Sequence, residues 1–473
     1  MPWKFLTQEP QNPRRHLRVL RGVFVLPIAI GLLAAGHSFT PYATVKPILD
    51  AQRERLPAEL RDADQARWLA WTRRQDLSIR ARLRQGELDS MVNLLLYGTS
   101  FTRQPRISME GLTEASKAGV LRARVDDLVA GLRSPGDNER LLFLQRFLRS
   151  QGIDPQRADG PKETGVFILQ NLQRVVQERR ALADRAADVK ADTKPDDPSS
   201  LLDRSSLFRD RGVSLDTSII PDFSIEQTLR DLKQRGVLRE GQVARVAVIG
   251  PGLDFIDKNE ESAYDYYPQQ TLQPFALYDS LMRLRLAKTN ALSMSIFDIS
   301  SRVIEHIQRA RERAGKGIGY VVQLPRDIAR SWPPELVGYW NTLGDQVGAP
   351  IAPITPPRIF EGLETRAVLI RPQVVLACEP IDLNIVVERL NLAAADHFDL
   401  IVATNIFVYY DVFEQTLALE SAGAMLKPGG LLLTNDRLPV VSGSSMRLAG
   451  ITVVPYDSPG VSERQAVGWY RKQ

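Results

Sequence analysis

The sequence predicts an α/β protein, with a doubly wound, mostly parallel sheet over residues 205–473 and a mainly α-helical region before it. Two patterns carry this. In the second half, apolar strand-like runs alternate with amphipathic helical stretches, as in parallel strands covered on both faces. In the first half, apolar residues recur at three- and four-residue spacings, the helical period. A chain of 473 residues also exceeds what one core ordinarily serves, so several domains are expected.

From the N-terminus, "RRHLRVLRG" is basic and the run Val23–Ala35 is apolar and uncharged. The run is short of the roughly 20 residues of a membrane span. With the small residues of "LAAGHS" behind it, the layout is that of a signal peptide. Extended through Val45, it becomes a single tilted anchor. Residues 1–45 are therefore expected to be membrane-directed, with membrane contact through residues 20–45; a buried or interfacial helix is the alternative. Lys4, Arg14, Arg15, Arg18 and Arg21 before the run outnumber Lys46, Arg53 and Arg55 after it, a bias that leaves the N-terminus inside.

Residues 46–187 read as helical, led by "DQARWLAWTRRQDLSIRARLRQGELDSMVNLLLYG". Their Arg-rich faces are expected to be solvated. Residues 188–204 are a linker, from the polar, Pro-containing "DVKADTKPDDPSS". "SIEQTLRDLKQRGVL" is a helix with Gly236 at its C-cap. The sheet strands are "ARVAVIG", "LSMSIFDIS", "NIVVERLNL", "FDLIVATNIFVYY" and "LLLTND", with "AVGWYRK" as an added edge strand. Helices "SRVIEHIQRARERAG" and "VFEQTLALESAGAMLKPGG" fall between them. Two Pro- and aromatic-rich segments, "NEESAYDYYPQQTLQPFALYD" and the stretch from Gly319 to Gly362, look inserted and could cover a ligand or simply pack.

Composition narrows the function. The formal charge of +5 is spread through interleaved acids and bases, so no nucleic-acid track is expected. The single cysteine, Cys378, excludes an intramolecular disulfide and a cysteine-rich zinc site. His16, His37, His306 and His397 are scattered, so no protein-held metal is expected.

Doubly wound sheets bind ligands at the carboxyl ends of their strands. There the sequence puts Gly250 and Gly252, which let backbone approach a ligand, and Asp298, able to accept both hydroxyls of a ribose. Asn391, with donor and acceptor for an adenine edge, and Asn405, Tyr409 and Asp411 end the later strands. Phe255 stands where a dinucleotide fingerprint needs its third glycine, which disfavours an NAD-type oxidoreductase. An adenosine cofactor without phosphates fits better.

The order "VAVIGPGLD", "FDIS", "RLNL", "FDLIVATNIFVYYD", "LKPGGLLLTND" resembles the class I S-adenosylmethionine (SAM)-dependent methyltransferases. "RLNLAAADHFDLIVATNIFVYYD" is most similar to the branch that methylates chemotaxis receptors (CheR-type). The resemblance covers the C-terminal half and implies a Rossmann-like domain that transfers a methyl group from SAM to an unidentified acceptor, a small molecule or a protein. It implies that Gly250 and Gly252 face the amino-acid part of SAM, Asp298 holds the ribose and Asn391 lies at the adenine. Asn405 would sit under the methionine end, and Tyr409 would border the transfer site. The sequence departs from the family at Val248 and Asp254, where an acidic residue and a third glycine are usual, and at Thr404, where the receptor-methylating pattern has arginine. Either Asp254 supplies the missing charge from a shifted position or the site is degenerate. The latter reading is a membrane-attached or exported interaction protein that no longer catalyses. It draws on the N-terminal segment, since SAM is used inside cells. A reporter fused after residue 60 is expected to fractionate with membranes, and its accessibility to added protease reports the side.

Overall fold

The computed structural model describes residues 36–108, 110–192, 219–253, 264–288, 291–360, 362–456 and 464–473. The first 35 residues, with most of the expected membrane-directed segment, lie outside them, as do Asp254 and residues 193–204 of the expected linker.

The described residues open with strand β1 (His37–Phe39) and helices α1 (Tyr42–Ala51), α2 (Gln65–Tyr97), α3 (Ala118–Arg133), α4 (Glu139–Ser150), α5 (Gly160–Asp192) and α6 (Ile219–Gln234). Then come β2 (Arg245–Ile249), α7 (Gln273–Arg283), β3 (Ser293–Asp298) and α8 (Ser301–Gly315). An inserted unit follows, of β4 (Tyr320–Asp327), α9 (Pro334–Thr342), β5 (Gly348–Ile351) and β6 (Leu363–Ile370). The chain closes with α10 (Pro372–Leu376), β7 (Cys378–Asp382), β8 (Glu388–Leu390), β9 (Phe398–Ala403), α11 (Val412–Met425), β10 (Leu426–Thr434), β11 (Met446–Pro455) and β12 (Arg464–Lys472).

The main sheet has seven strands in the order β11-β12-β10-β9-β2-β3-β7. From β10 to β7 neighbouring strands run parallel, and β12 is antiparallel to both β10 and β11. Strand order reverses between β2 and β9: β3 and β7 follow on one side, β9 and β10 on the other. Alternation along β2 sends Val246 and Val248 into one core, with α6, α7 and α8, and Ala247 and Ile249 into the other.

Several expectations are corrected. The third parallel strand is β7, "CEPID", and not "NIVVERLNL"; of the latter only Glu388–Leu390 is extended, and it pairs antiparallel with β1 in a separate two-stranded sheet. Pro380 inside β7 hides it in the sequence, and β7 tolerates that residue because it is an edge strand. "AVGWYRK" is not an edge, since β11 lies outside it. The second inserted segment is no loose loop: its β4 and β5 pair with β6, just beyond it, in a three-stranded antiparallel sheet β4-β6-β5 whose Tyr320, Val322 and Val368 join the main core. Residues 188–192 continue α5. Of the anchor expected to run through Val45, the described part is folded onto the sheet. His37–Phe39 pair with Glu388–Leu390, and Val45 is buried against the sheet. Among the described residues no helix is long and apolar enough to cross a membrane.

The helical half does not stand apart from the sheet. Gly36–Gln473 is one compact unit. The first half of α2 packs Trp68, Trp71 and Ile79 into the same core as Ala247, Ile249, Phe297 and Ile401. Its second half forms a helical core with α3, α4 and α5. The fully buried Arg124 closes that join by donating to the carbonyls of Leu95, Gly98, Gln104 and Pro105 at 2.5–3.0 Å. Trp71→Ala is therefore expected to cost about 3–5 kcal/mol, the usual range for a buried Trp, in a single urea transition followed by fluorescence and far-UV dichroism together. Two separated transitions would show that the helical half and the sheet do not share this core.

Candidate functional site

Parallel strands that end level leave a crevice where their order reverses. Here Ile249 of β2 is level with Phe297 of β3 and Ala403 of β9. Beyond them lies a cavity of about 30 Å³ lined by Ile249, Gly250, Gly252, Phe297, Asp298, Ile299, Leu383, Ile385, Ile406, Tyr409 and Tyr410. The Gly250 bend and Asp298 are thus on the same crevice. Gly250 and Gly252 both have left-handed backbone, φ 62° and 69°, which is why glycine is needed there.

Asp298 is buried, and its carboxylate Oδ1 accepts from the Ser300 amide at 2.8 Å. Burial pushes the Asp298 carboxyl up to about 7, a rise to which Asp382 adds. Hydrogen bonds from the amides of Ser300, Ile299 and Gly252 oppose it. The tie to Gly252 joins the bend and the carboxyl directly. Burial also raises the phenol of Tyr410, whose ring lies under Arg82 with the guanidinium 5.5 Å from its centroid.

Other expected residues are placed differently. Asn391 is exposed, does not line the crevice, and exchanges hydrogen bonds with Ser38 at 3.0 and 3.3 Å. The cause is the strand correction: "RLNL" belongs to the small sheet, and the third strand ends at Asp382, beside Asp298. Asn405 is exposed with φ 58°. Its Oδ1 accepts from Asn435 Nδ2, and its own amide donates to Asn435 Oδ1, both at 2.7 Å. Asn405 therefore shapes the turn after β9 and does not itself line the crevice. Tyr409 does line it. Asp411 is spent on a capping box with Glu414 at the start of α11. Tyr264, Tyr266 and Tyr267 pack around Phe360. Val248 is fully buried strand.

Sequence reasoning missed Ile406, the walls Leu383 and Ile385, Asp382, and two arginines of α2. Arg80 donates to the Ile299 carbonyl at 3.2 Å and pairs with Asp382 at 2.8 Å. Arg82 donates to the Tyr409 carbonyl at 2.5 Å. The helix so spans the crevice from the β3 side to the β9 side. Nothing local in "SIRARL" marks these arginines off from the solvated ones around them.

The donor set suits an adenosine cofactor: a carboxylate for paired hydroxyls, bare backbone at Gly250, and apolar walls for a ring. The unfilled space has room for a water or two as it stands.

No family model and no curated protein matches the chain. Among solved structures it is similar to the N-methyltransferase NodS from Bradyrhizobium japonicum WM9, at 12% identity over 54% of this chain and 99% of that one, with a TM-score of 0.26. It is similar to the mitomycin 7-O-methyltransferase MmcR at 13% identity, over 86% and 99%, with a TM-score of 0.28. The glycopeptide N-methyltransferase MtfA, complexed with SAM, gives 11%, 52% and 76%, and 0.21. Similarity of this size carries no conclusion about what the chain binds.

The Asp298 carboxyl binds its proton more tightly in the folded chain than at its ordinary value of 3.8. Between about pH 4 and 7 the native state then holds a proton that the unfolded state has lost. Stability from this group is full below about pH 4 and falls as pH rises to 7, by up to about 1.4 kcal/mol per pH unit. Asp298→Asn is expected to narrow the stability gap between pH 5 and pH 8, as measured by urea unfolding. An unchanged gap would show that Asp298 titrates normally.

Proposed function

We propose that the crevice binds S-adenosylmethionine and that the chain transfers its methyl group to an acceptor, as a class I methyltransferase-like enzyme. One observation carries this reading. The bare Gly250–Gly252 bend and the buried Asp298 carboxyl sit on one crevice at the reversal of a sheet ordered β11-β12-β10-β9-β2-β3-β7. The CheR-type resemblance supports the cofactor in its glycine bend and Asp298 but not in Asn391, its adenine residue, which lies away from the crevice, and it does not support the acceptor, since Thr404 stands where that pattern has arginine.

The cofactor, when bound, supplies an electrophilic methyl that an acceptor lone pair can displace without a covalent enzyme intermediate. The chain's residues have simpler tasks. Asp298, as the carboxylate, accepts from both ribose hydroxyls, and the Gly252 amide keeps it oriented. Gly250 offers backbone where any Cβ would intrude. Tyr409 and Tyr410 close the β9 side, and Leu383 and Ile385 close the β7 side, excluding water from the reacting atoms. Arg80 and Arg82 hold the two rims from α2. Membrane contact is proposed only for the stretch before Gly36, because His37–Phe39 pair with Glu388–Leu390 and Val45 is buried.

SAM and S-adenosylhomocysteine are expected to raise the melting temperature, and NAD is not. Asp298→Ala is expected to weaken S-adenosylhomocysteine binding by about tenfold or more in calorimetry, because it strands ribose hydroxyls. An interaction protein with a dead crevice predicts no shift with any of the three. Wild-type affinity in Asp298→Ala would remove Asp298 from the site.

A further inference from the structure

The crevice carries the right chemistry, and one side chain fills the place where the bare backbone would meet a ligand. Ile406 lies directly on the Gly250 bend. A methyl group built on Gly250 would overlap Ile406 Cδ1 and stand 3.0 Å from its Cγ1. The bare backbone expected to face a ligand faces Ile406 instead.

The placement is built in. Ile406 follows Asn405, a non-glycine residue in left-handed backbone at φ 58°, a conformation that costs energy and persists where surroundings enforce it. Asn435, just past the end of β10, enforces it through two hydrogen bonds of 2.7 Å to Asn405. The next residue, Asp436, accepts from the Phe407 amide at 3.0 Å. Held on both sides, the backbone at Ile406 has little freedom, so the side chain must take the position over Gly250 or rotate about its own bonds.

We infer that Ile406 is the specificity-determining residue of the crevice: it fills the place next to the Gly250 bend, and a ligand enters only when its side chain swings away. This rests on the adenosine-cofactor reading and adds a size limit to it. A ligand that binds only the open form shows an affinity reduced by the fraction of time the crevice is open. Smaller side chains at 406 remove that reduction, and larger ones deepen it.

The test is calorimetry of the full chain with S-adenosylhomocysteine for wild type, Ile406→Val, Ile406→Ala and Ile406→Phe, alongside their melting temperatures. Affinity is expected to rise in the order Phe, Ile, Val, Ala. The Ala variant should gain roughly tenfold or more, as for a pocket open a tenth of the time, and Phe should abolish binding. Binding by the Ala variant when wild type shows none also supports the plug. A wild type that binds, with the Ala variant equal or weaker, overturns it and leaves the cofactor reading standing. If folded wild type and the Ala variant both fail to bind, the cofactor reading falls and takes this inference with it. Melting temperatures that change without that order in affinity assign Ile406 a packing role only, which also overturns it.

Discussion

Strand β2 is paired in parallel on both sides, and this constrains everything at its carboxyl end. Its backbone is committed to β3 and β9 up to Ile249, and the Gly250 amide still donates to the Phe297 carbonyl at 2.7 Å. Past that bond the chain leaves the sheet, at the point where strand order reverses. It leaves through a left-handed bend, which demands glycine at 250 and again at 252. The crevice is the space left by that exit.

What surrounds the exit is a balance between solvation and hydrogen bonding. Asp298 receives amide hydrogen bonds that favour its charge, yet burial outweighs them and holds its carboxyl near 7. A carboxyl buried against apolar walls is costly in the free protein even with these amide partners. The turn after β9 carries a different cost, the left-handed Asn405 fixed by Asn435. Both costs sit at strand ends beside the crevice while the sheet itself is well paired, which is where functional strain is expected to collect.

Most of the sheet was legible because its strands are apolar on both faces and its helices keep their period. The glycine bend and Asp298 were legible for the same reason: each immediately follows such a strand. The failures have identifiable causes. Pro380 disguises β7, so local pattern favours "NIVVERLNL" as the third strand and places Asn391 at a crevice it does not line. In sequence Asn405 offers amide chemistry, whereas its backbone angle and its partner Asn435 decide its part. Ile406 is inconspicuous because an apolar residue after an apolar strand is ordinary in sequence. Arg80 and Arg82 were indistinguishable from the other arginines of α2.

The sequence by itself determined the alternation of strands and helices, the glycines at the end of β2 and the acid at the end of β3, because local period and residue chemistry suffice for these. Only the tertiary structure decided which strand stands third, that α2 bridges the crevice, and that Ile406 occupies the place beside Gly250. Those depend on contacts between residues far apart in the chain, Arg82 with Tyr409, Asn405 with Asn435, His37 with Leu390. Such contacts are fixed by sheet order and core packing, which no local pattern encodes.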